Sequence, residues 1–592
     1  MPLPMQHLNP SRTATPPVNA MSQQDIIQDL PEHLRPFVKR QDYGGYTPRD
    51  QAVWRFVMRH LTEQLKDTAH PVYLEGLERT GISLDHIPSI EEMNQCLAKL
   101  GWRAVVVDGF IPPAIFMEFQ ALKVLVIALE MRSANHIFYT PAPDIVHESA
   151  GHAPFLVDID YAEFLQSFGQ VGMKAIATRE DLEQYEAIRK LSILKECPSS
   201  SAQDIAQAEA ELKSLTNSNT APSEAALLTR LHWWTVEYGL VGTVEDYRIF
   251  GAGLLSSLSE SAHCLDDDAV RKVPLTVDAV QQTYDITQEQ PQLFVTKSCK
   301  HLSQVLDEFA ESMCFRKGGA SSLRTAIDAG SMCTASYDSG MQVSGVFTEV
   351  LCDAVGNATY LRTEGPTQLA YLEREVKNHG VDYHSQGFGS PIGHIKDFSR
   401  CLSEYTIDEL KAHDIVIGQV TRLEYLSGIT VQGNLQQIHR QNHRNLILTF
   451  KECTVTDLNG RILFDPAWGI YDLAVGSCID SVYGGVADRE TLQLYKPTPA
   501  TDTLQVATDG VLMDYYQRVD ELRRGRHPVQ SKQLLNELEG ALAAYPNEWI
   551  LRAEMLDIAP PALREQLSQE LNTLGQSNPS IEGLTALALD SK

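Results

Sequence analysis

The first half of the chain carries apolar residues at helical spacing. From about residue 25 to residue 320 they recur three and four positions apart, with Pro or Gly at the breaks between segments. This period is typical of amphipathic helices that bury one face. We therefore predict a mainly helical region, whose clearest helices are DQAVWRFVMRHLTEQL, SIEEMNQCLAKLGW, FMEFQALKVLVIALEMR and YAEFLQSFGQVGMKAIA.

The pattern changes after about residue 320. Gly and Asn now separate short β-branched segments, namely DIVIGQVTRLEYL, GITVQGNL, NLILTFKECTVTD and GRILFDPAWGIYDLAVGS. Such a pattern is typical of strands joined by tight turns, for which Leu458-Asn459-Gly460 is a good candidate. Within this part HSQGFGSPIGHI is interpreted as a loop, because its glycine spacing does not match a nucleotide-binding motif. From about residue 508 the helical period returns, with Pro at the joints.

These changes predict a multidomain chain. Residues 1–24 are rich in Pro, Ser, Thr and Asn and are expected to form a disordered arm. We divide the remainder into a mainly α-helical domain at 25–320, a β-rich domain at 321–507 and a helical C-terminal region at 508–592. A chain of 592 residues is long enough for several hydrophobic cores.

Composition narrows the choice of ligands. A formal net charge of −28 and the lack of a Lys/Arg block argue against nucleic acid, which needs a clustered basic face. The ten cysteines include no C-x-x-C pair, which suits reduced thiols in a cytosol. The longest aliphatic run, VLVIAL at 124–129, is too short to span a membrane. We expect a cytoplasmic protein that acts on small molecules, with neither nucleic acid nor membrane as a partner.

The stretch TPAPDIVHESAGHAPFL, residues 140–156, places His147 and His152 five positions apart. On a continuous α-helix this spacing turns the two imidazoles about 140° away from each other. Both can then bind one metal ion only if the helix ends between them, and Gly151 with Pro154 would end it there. We therefore expect this pair at a helix terminus.

A third ligand would distinguish a metal site from two chance neighbours among eighteen histidines. Glu237 lies in RLHWWTVEYGL, among Trp, Val, Tyr and Leu, where an unpaired buried carboxylate is costly. Two imidazoles and one carboxylate form a facial triad, which favours non-haem Fe(II) and dioxygen chemistry. Two alternatives stay open: Glu237 is a salt-bridged core residue, or Glu148 is the general base of a zinc hydrolase built on the two histidines.

Three motifs in this order, TPAPDIVHESAGHAPFL, WWTVEYGL and IFGAGLLSSLSES, resemble those of the pterin-dependent aromatic amino acid hydroxylases, most closely the bacterial phenylalanine 4-monooxygenases. The resemblance runs from about Tyr46 to residue 298. It implies an α+β catalytic domain of the hydroxylase type. It also implies a monooxygenase that hydroxylates the ring of an aromatic amino acid with Fe(II), dioxygen and a tetrahydropterin, either tetrahydrobiopterin or a related reduced pterin.

The resemblance further implies roles for individual residues. The iron would be held by His147, His152 and Glu237, and the catalytic carboxylates would be Glu148 and Glu237. The amino acid substrate would be bound by Arg132, Thr140, Pro143, Asp144, Trp233, Gly253 and Ser256. The pterin would lie against Gly109, Ile111, Phe116 and Glu148. In this scheme Arg132 binds the substrate carboxylate through its planar fork, and Asp144 orients Arg132.

The sequence departs from the family pattern in several places. A long insertion separates His152 from Glu237, and its Glu/Lys/Ala-rich halves predict a helical hairpin at about 174–230. His232 stands where the family usually has a tyrosine, and Pro113 replaces a pterin-side serine of animal relatives. Which reduced pterin is used therefore stays open.

The substrate and the C-terminal half are the least determined parts. Phenylalanine is the favoured substrate, with tyrosine and tryptophan as alternatives within the family. Residues 321–592 match no regulatory or tetramerisation segment of the animal enzymes. A homo-oligomer formed through this half is one alternative, and a binding protein with a vestigial catalytic domain is another.

Overall fold

The computed structural model describes residues 21–107, 111–134, 137–138, 143–196, 200–218, 221–286, 288–495, 509–525 and 531–590. In these ranges no helix combines the length and the apolar character that crossing a membrane requires. Residues 1–20 of the predicted arm lie outside these ranges. The candidate residues Gly109 and Thr140 also lie outside them.

The N-terminal part mixes helices with short strands. In chain order these are α1 (Gln23–Asp29), α2 (Pro48–Leu65), α3 (Val72–Arg79), α4 (Ile90–Leu97), β1 (Arg103–Val107), α5 (Pro113–Ala121), β2 (Val124–Ala128), α6 (Ile159–Gly172), α7 (Arg179–Glu196), α8 (Ala202–Ser218), α9 (Glu224–His232), β3 (Leu240–Gly242), β4 (Tyr247–Ile249), α10 (Ala252–Leu255), α11 (Leu258–His263), β5 (Arg271–Pro274), β6 (Gln292–Thr296), α12 (Cys299–Ala310), α13 (Cys314–Lys317) and α14 (Gly319–Ala329). β1 pairs with β2 in parallel, and a second sheet has the order β4-β3-β6-β5. The helices pack around one core that fully buries Trp54, Phe155 and Trp234.

One stretch predicted as a single helix is a helix followed by a strand. FMEFQALKVLVIALEMR contains most of α5 and all of β2, and Lys123 between them has a positive φ of 58°. Every residue of β2 is buried, and β2 pairs with β1 along its whole length. A strand that is buried on both faces is apolar throughout, so periodicity does not separate it from a buried helix.

Residues 332–484 form two antiparallel sheets. Their elements are β7 (Met332–Tyr337), β8 (Met341–Cys352), β9 (Ala358–Tyr371), β10 (Arg374–Glu375), β11 (Gly387–Pro391), α15 (Ile407–Ala412), β12 (Val420–Glu424), β13 (Thr430–Gln441), β14 (Arg444–Thr456), β15 (Ile462–Phe464), β16 (Tyr471–Ala474) and β17 (Ile479–Gly484). Sheet I has the order β10-β9-β8-β7-β17 with β11 also on β9, and sheet II has the order β12-β13-β14-β15 with β16 also on β14. The sheets adjoin where Ser390 Oγ donates to Ala474 O at 3.2 Å and accepts from Ala474 N at 3.0 Å.

Two local expectations in this part have different outcomes. The turn at Leu458-Asn459-Gly460 is confirmed, because Gly460 has a φ of 81° and its N–H donates to Asp457 O between β14 and β15. HSQGFGSPIGHI, interpreted as a loop, instead contains strand β11. A Cβ on Gly389 would lie 2.1 Å from the hydroxyl of Tyr360 on the neighbouring strand β9. Glycine at this position therefore leaves room for the tyrosine side chain.

The C-terminal helices pack on the N-terminal part. They are α16 (Gly510–Arg523), α17 (Ser531–Leu542), α18 (Trp549–Leu556), α19 (Pro561–Ser577) and α20 (Glu582–Asp590). Trp549 of α18 meets Phe56 of α2 edge to face, with ring centroids 5.0 Å apart. Their apolar side chains belong to the same core as those of α2, so this core draws on residues about 500 positions apart.

Candidate functional site

His147 and His152 lie on one face of a π-helical turn, Val146–His152. In such a turn the backbone hydrogen bonds join residues five apart, and the two imidazole rings meet edge to face with centroids 4.9 Å apart. The interpretation that the helix ends between the histidines is therefore wrong. Gly151 instead allows the turn to lie close to the backbone of Ala252, because a Cβ at this position would lie 2.8 Å from the carbonyl oxygen of Ala252.

A second π-helical turn, Trp233–Glu237, continues α9 and ends at the third expected ligand. The N–H of Tyr238 donates to the carbonyl of Trp233 at 2.9 Å. Gly251 lies against this end of the turn, where a Cβ would be 2.4 Å from the carbonyl oxygen of Glu237. Two π-helical turns, a feature that is frequent at functional sites, therefore position the side chains of His147, His152 and Glu237.

The three side chains converge on one point. Nε2 of His147 lies 3.2 Å from Nε2 of His152 and 3.3 Å from Oε2 of Glu237, while Nε2 of His152 lies 3.5 Å from Oε1 of Glu237. Two ligands bound at right angles about 2.1 Å from one ion are about 3 Å apart. Two imidazoles and one carboxylate can thus hold one cation here, and they are the donor set of a facial triad.

A serine sets the tautomer of His147. The hydroxyl of Ser256 donates to the carbonyl of Ala252 at 2.7 Å, so its oxygen accepts the N–H of Nδ1 of His147 at 2.9 Å. The other ring nitrogen, Nε2, then faces Glu237, and it is the nitrogen that offers a lone pair to a metal ion once its proton is displaced. This is the arrangement in which a neighbouring group orients a metal-binding histidine.

The charges of the cluster also favour a cation. Burial lowers the pKa of His152 to about 3, so this ring is neutral. Burial opposes ionisation of Glu237, but the imidazoles around it hold its pKa well below the usual range. Burial likewise opposes the charged form of His147, yet its hydrogen bond to Glu237 prevails and raises its pKa to about 9. Because a metal ligand must be deprotonated, a bound ion would displace the proton that His147 shares with Glu237.

Arg132 and Asp144 form a buried bidentate ion pair beside this cluster. Nε and Nη2 of Arg132 donate to the two carboxylate oxygens at 2.7 and 2.8 Å. Burial would raise the pKa of Asp144, but Arg132 lowers it overall. Asp144 also accepts the backbone N–H of His147 at 3.0 Å, and Nη1 of Arg132 donates to the carbonyl of Ser256 at 2.8 Å. The guanidinium is therefore fixed relative to the metal-binding turn.

Trp233, four residues before Glu237, lies in a stack of aromatic rings. Its indole lies between Tyr238, at 4.5 Å between centroids, and Tyr284, at 4.3 Å with the planes 11° apart. Gly253 lies against this stack, and a Cβ there would be 3.0 Å from the ring of Tyr238. Tyr284 was not among the expected site residues, because the sequence around it does not identify it as a partner of Trp233.

Phe116, on α5, faces His232 rather than a tyrosine. The two rings meet edge to face with centroids 6.0 Å apart, and Phe168 meets His232 at 5.1 Å. Nδ1 of His232 lies 3.5 Å from Oε1 of Glu237. Nε2 of His232 is buried, and within the described ranges it has no hydrogen-bond partner. An aromatic ring with polar edges, bound against Phe116, could supply that partner.

Two buried acids near the site hold their protons more tightly than usual. Burial raises the pKa of Glu148 to about 8, and Oε2 of this residue lies 3.9 Å from Nε2 of His152. Burial and the nearby Glu289 raise the pKa of Glu260 to about 7, while Tyr238 donates to it at 3.4 Å. Both carboxyl groups can therefore exchange protons near neutral pH.

The remaining expected residues are less informative. Ile111 is half-buried and Pro143 is exposed. Gly109 and Thr140 lie outside the described residues.

The chain is similar to a known family and to characterised proteins. The sequence profile of the family described as biopterin-dependent aromatic amino acid hydroxylase matches residues 40–193 and 190–317. The phenylalanine-4-hydroxylase of Chromobacterium violaceum is 30% identical over 268 residues, which are 45% of this chain and 75% of that protein. The phenylalanine-4-hydroxylase of Pseudomonas aeruginosa is 28% identical over 264 residues, 44% of this chain and 84% of that protein. A crystal structure of the Chromobacterium violaceum enzyme with iron(III) and 7,8-dihydrobiopterin aligns with a TM-score of 0.38 and 28% identity, over 47% of this chain and 86% of that chain.

Proposed function

This chain belongs to the biopterin-dependent aromatic amino acid hydroxylases, and on that premise we propose that it hydroxylates the ring of phenylalanine to give tyrosine. The family resemblance inferred from the three motifs is confirmed, and with it a monooxygenase that uses iron, dioxygen and a reduced pterin. Phenylalanine is proposed because the relatives named above are phenylalanine-4-hydroxylases. Tyrosine and tryptophan are the alternatives that an activity measurement must separate. Family membership decides against the zinc hydrolase.

The observation that carries the proposal is the convergence of His147, His152 and Glu237. The nearest donor atoms of each pair of side chains lie 3.2–3.5 Å apart, and the contact of Nδ1 of His147 with Ser256 leaves Nε2 on the metal side. Three protein ligands on one face leave the remaining positions of an octahedral ion open. Fe(II) and the reduced pterin, when bound, supply the activation of dioxygen.

The other residues of the site bind and orient the organic molecules. We assign Arg132 to the substrate carboxylate, because it is a buried planar cation that Asp144 holds rigidly. The stack of Trp233, Tyr238 and Tyr284 excludes water and offers an apolar wall to the substrate ring. Holding the substrate ring in a fixed position relative to the metal lowers the entropic cost of reaching the reactive geometry.

The pterin is assigned to the side of Phe116 and His232. Phe116 offers a ring for packing, and Nε2 of His232, which has no partner among the described residues, offers a ring nitrogen where a tyrosine would offer a hydroxyl. Glu148, with a pKa of about 8, can hold or release a proton between this side and the metal. These assignments support a pterin-dependent enzyme whose pterin contacts differ from those of its relatives.

We further propose the domain organisation inferred from the sequence: a catalytic domain at 25–320 with its helical insertion at about 174–230, a β-rich domain at 321–507 and a helical region at 508–592. The family match ends at residue 317, which supports the first boundary. A cytoplasmic location and a homo-oligomer through the C-terminal half stay predictions.

Anaerobic loading with Fe(II) followed by turnover tests the function. Phenylalanine, tyrosine and tryptophan are supplied in turn with tetrahydrobiopterin, and hydroxylated products are quantified by chromatography. We expect tyrosine from phenylalanine, and no product without the pterin. Faster hydroxylation of tyrosine or tryptophan would overturn the substrate assignment. Turnover of phenylalanine by the Glu237→Gln variant at the wild-type rate would overturn the site.

A further inference from the structure

A second cluster of metal-binding side chains lies in the β-rich part. His379 and His384 lie between β10 and β11, and Asp472 lies on β16. All three are buried, with 3%, 8% and 5% of their surface exposed. One ligand atom from each lies within 4.8 Å of the other two. The cluster thus joins a loop of sheet I to a strand of sheet II.

The distances within the cluster suit one small cation. Nδ1 of His379 lies 3.1 Å from Nε2 of His384 and 4.0 Å from Oδ2 of Asp472. Two ligands about 2.1 Å from a tetrahedral ion are about 3.4 Å apart. The observed separations lie on both sides of that value, so small rotations of the side chains would complete the coordination.

Neighbouring polar groups hold two of the ligands in the required orientation. Nε2 of His379 lies 3.2 Å from Nε2 of His439 on β13, so a proton on that side leaves the lone pair of His379 on Nδ1. The hydroxyl of Thr449 donates to Oδ1 of Asp472 at 2.6 Å, which leaves Oδ2 for an ion. Such outer contacts accompany metal-binding histidines and carboxylates in proteins.

The backbone fixes the two histidines on sheet I. The carbonyl of His379 accepts the N–H of Leu369 at 2.9 Å, and the carbonyl of His384 accepts the N–H of Thr367 at 3.1 Å. Both donors belong to β9. The ligands are therefore positioned by the folded sheet rather than by a free loop.

The cluster also lacks positive charge. Among the described residues, no Lys or Arg lies within ion-pair distance of the carboxylate of Asp472. Within 4 Å, and among the described residues, Asp472 has His379 as its ion-pair partner. A buried carboxylate that faces neutral groups is costly, and a divalent ion would remove that cost.

We propose that His379, His384 and Asp472 bind a divalent first-row transition ion, of which Zn²⁺ is the best match, and that this ion fastens sheet I to sheet II. Imidazole nitrogen and carboxylate oxygen are ligands that Zn²⁺ accepts in tetrahedral sites, with one position left for water. The site is separate from the iron site and does not depend on the proposed hydroxylase activity.

Metal stoichiometry of the full chain tests the proposal. Protein freed of metal by chelation is titrated with Co²⁺, a probe that can occupy both sites and absorbs visible light. We expect two equivalents per chain for the wild type, one for Asp472→Asn and one for His147→Ala/His152→Ala. The combined variant should bind none. Because the proposed second site has no thiolate ligand, its Co²⁺ spectrum should lack sulfur charge-transfer bands.

Matched variants separate loss of a ligand from loss of fold. Asp488→Asn changes a carboxylate that is as buried as Asp472 but accepts backbone N–H groups of Glu375 and Glu490, and it should keep two equivalents. If Asp472→Asn does not fold, His384→Gln provides the same measurement. In the His147→Ala/His152→Ala protein, Zn²⁺ should raise the melting temperature with increasing concentration. Two equivalents retained by Asp472→Asn, or none bound by His147→Ala/His152→Ala, would refute the proposal.

Discussion

Replacing Glu554 with Ala should weaken the packing of the C-terminal helices on the catalytic part. Arg55 of α2 is 4% exposed and Glu554 of α18 is 9% exposed. Nε of Arg55 lies 3.0 Å from both oxygens of Glu554, and Nη2 also donates to this carboxylate. In the Glu554→Ala variant the buried guanidinium keeps Asp520, 3.3 Å away and about a quarter exposed, as its carboxylate partner.

The magnitude follows from the burial of the pair. Removing one partner of a buried ion pair costs about 3–5 kcal/mol, because the other charge stays buried without compensation. Asp520 keeps part of the compensation, so we expect a loss of about 3 kcal/mol in the free energy of unfolding. The same α18 interface supplies a probe, since Trp549 packs against Phe56. Urea unfolding followed by tryptophan fluorescence measures the loss, with Trp549 reporting on the interface beside the other five tryptophans.

A neighbouring pair provides the control. Asp557, just beyond α18, pairs with Arg59, one turn further along α2, but these side chains are 30% and 50% exposed. Exposed pairs contribute about 0–1 kcal/mol, so Asp557→Ala should change the free energy of unfolding little. If Glu554→Ala and Asp557→Ala destabilise the protein equally, the buried ion pair contributes no more than the exposed one, and burial does not strengthen this contact.

Three further predictions concern the site. Glu237→Gln should lose iron, measured by elemental analysis, because a neutral amide replaces the anionic ligand; full iron occupancy would remove Glu237 from the site. Arg132→Lys should raise the KM for the amino acid about 10- to 100-fold, since hydrogen bonds to charged groups contribute about 1.5–3 kcal/mol; an unchanged KM would contradict the assignment. Glu260 has a folded-state pKa of about 7, above its usual 4.5, so its contribution to stability falls as pH rises between these values. The free energy of unfolding of Glu260→Gln minus that of the wild type should therefore be larger at pH 8 than at pH 5. An equal difference at both pH values would show that Glu260 is not protonated in the folded protein.

Amphipathic helices were the part of the fold that the sequence predicted best. DQAVWRFVMRHLTEQL lies in α2, whose N-terminus has a capping box formed by Thr47 and Asp50, so period and cap agree. β2 was missed because its residues are buried on both faces and show no period. β11 was missed because its glycines suggest a turn, and the reason for Gly389 is the ring of Tyr360 across the strand. The structures of both β2 and β11 therefore depend on contacts with residues that are distant in the sequence.

The same distinction applies to the metal sites. His147, His152 and Glu237 could be named because family motifs surround them, but their geometry was misjudged, since α-helical rotation does not describe a π-helical turn. His379 and His384 have the same five-residue spacing, yet no motif surrounds them. Their third ligand, Asp472, is brought close only by the pairing of β16 with β14. Sequence spacing alone therefore does not identify this second cluster.

The β-rich part and the proposed pterin side are joined through Glu118. This buried residue lies on α5, two positions after Phe116, and contacts His33 and Arg489 at 2.8 Å each. Burial would raise the pKa of Glu118, but its two partners lower it overall, so the carboxylate stays charged because of them. Nη2 of Arg489 also donates to the carbonyl of Met173 at the end of α6. A fragment that ends near residue 320 would keep Phe116 but would lose one of the two groups that hold its helix. A division at 320 therefore separates Arg489 from the carboxylate that it helps to keep charged, and the C-terminal half contacts the helix that carries Phe116.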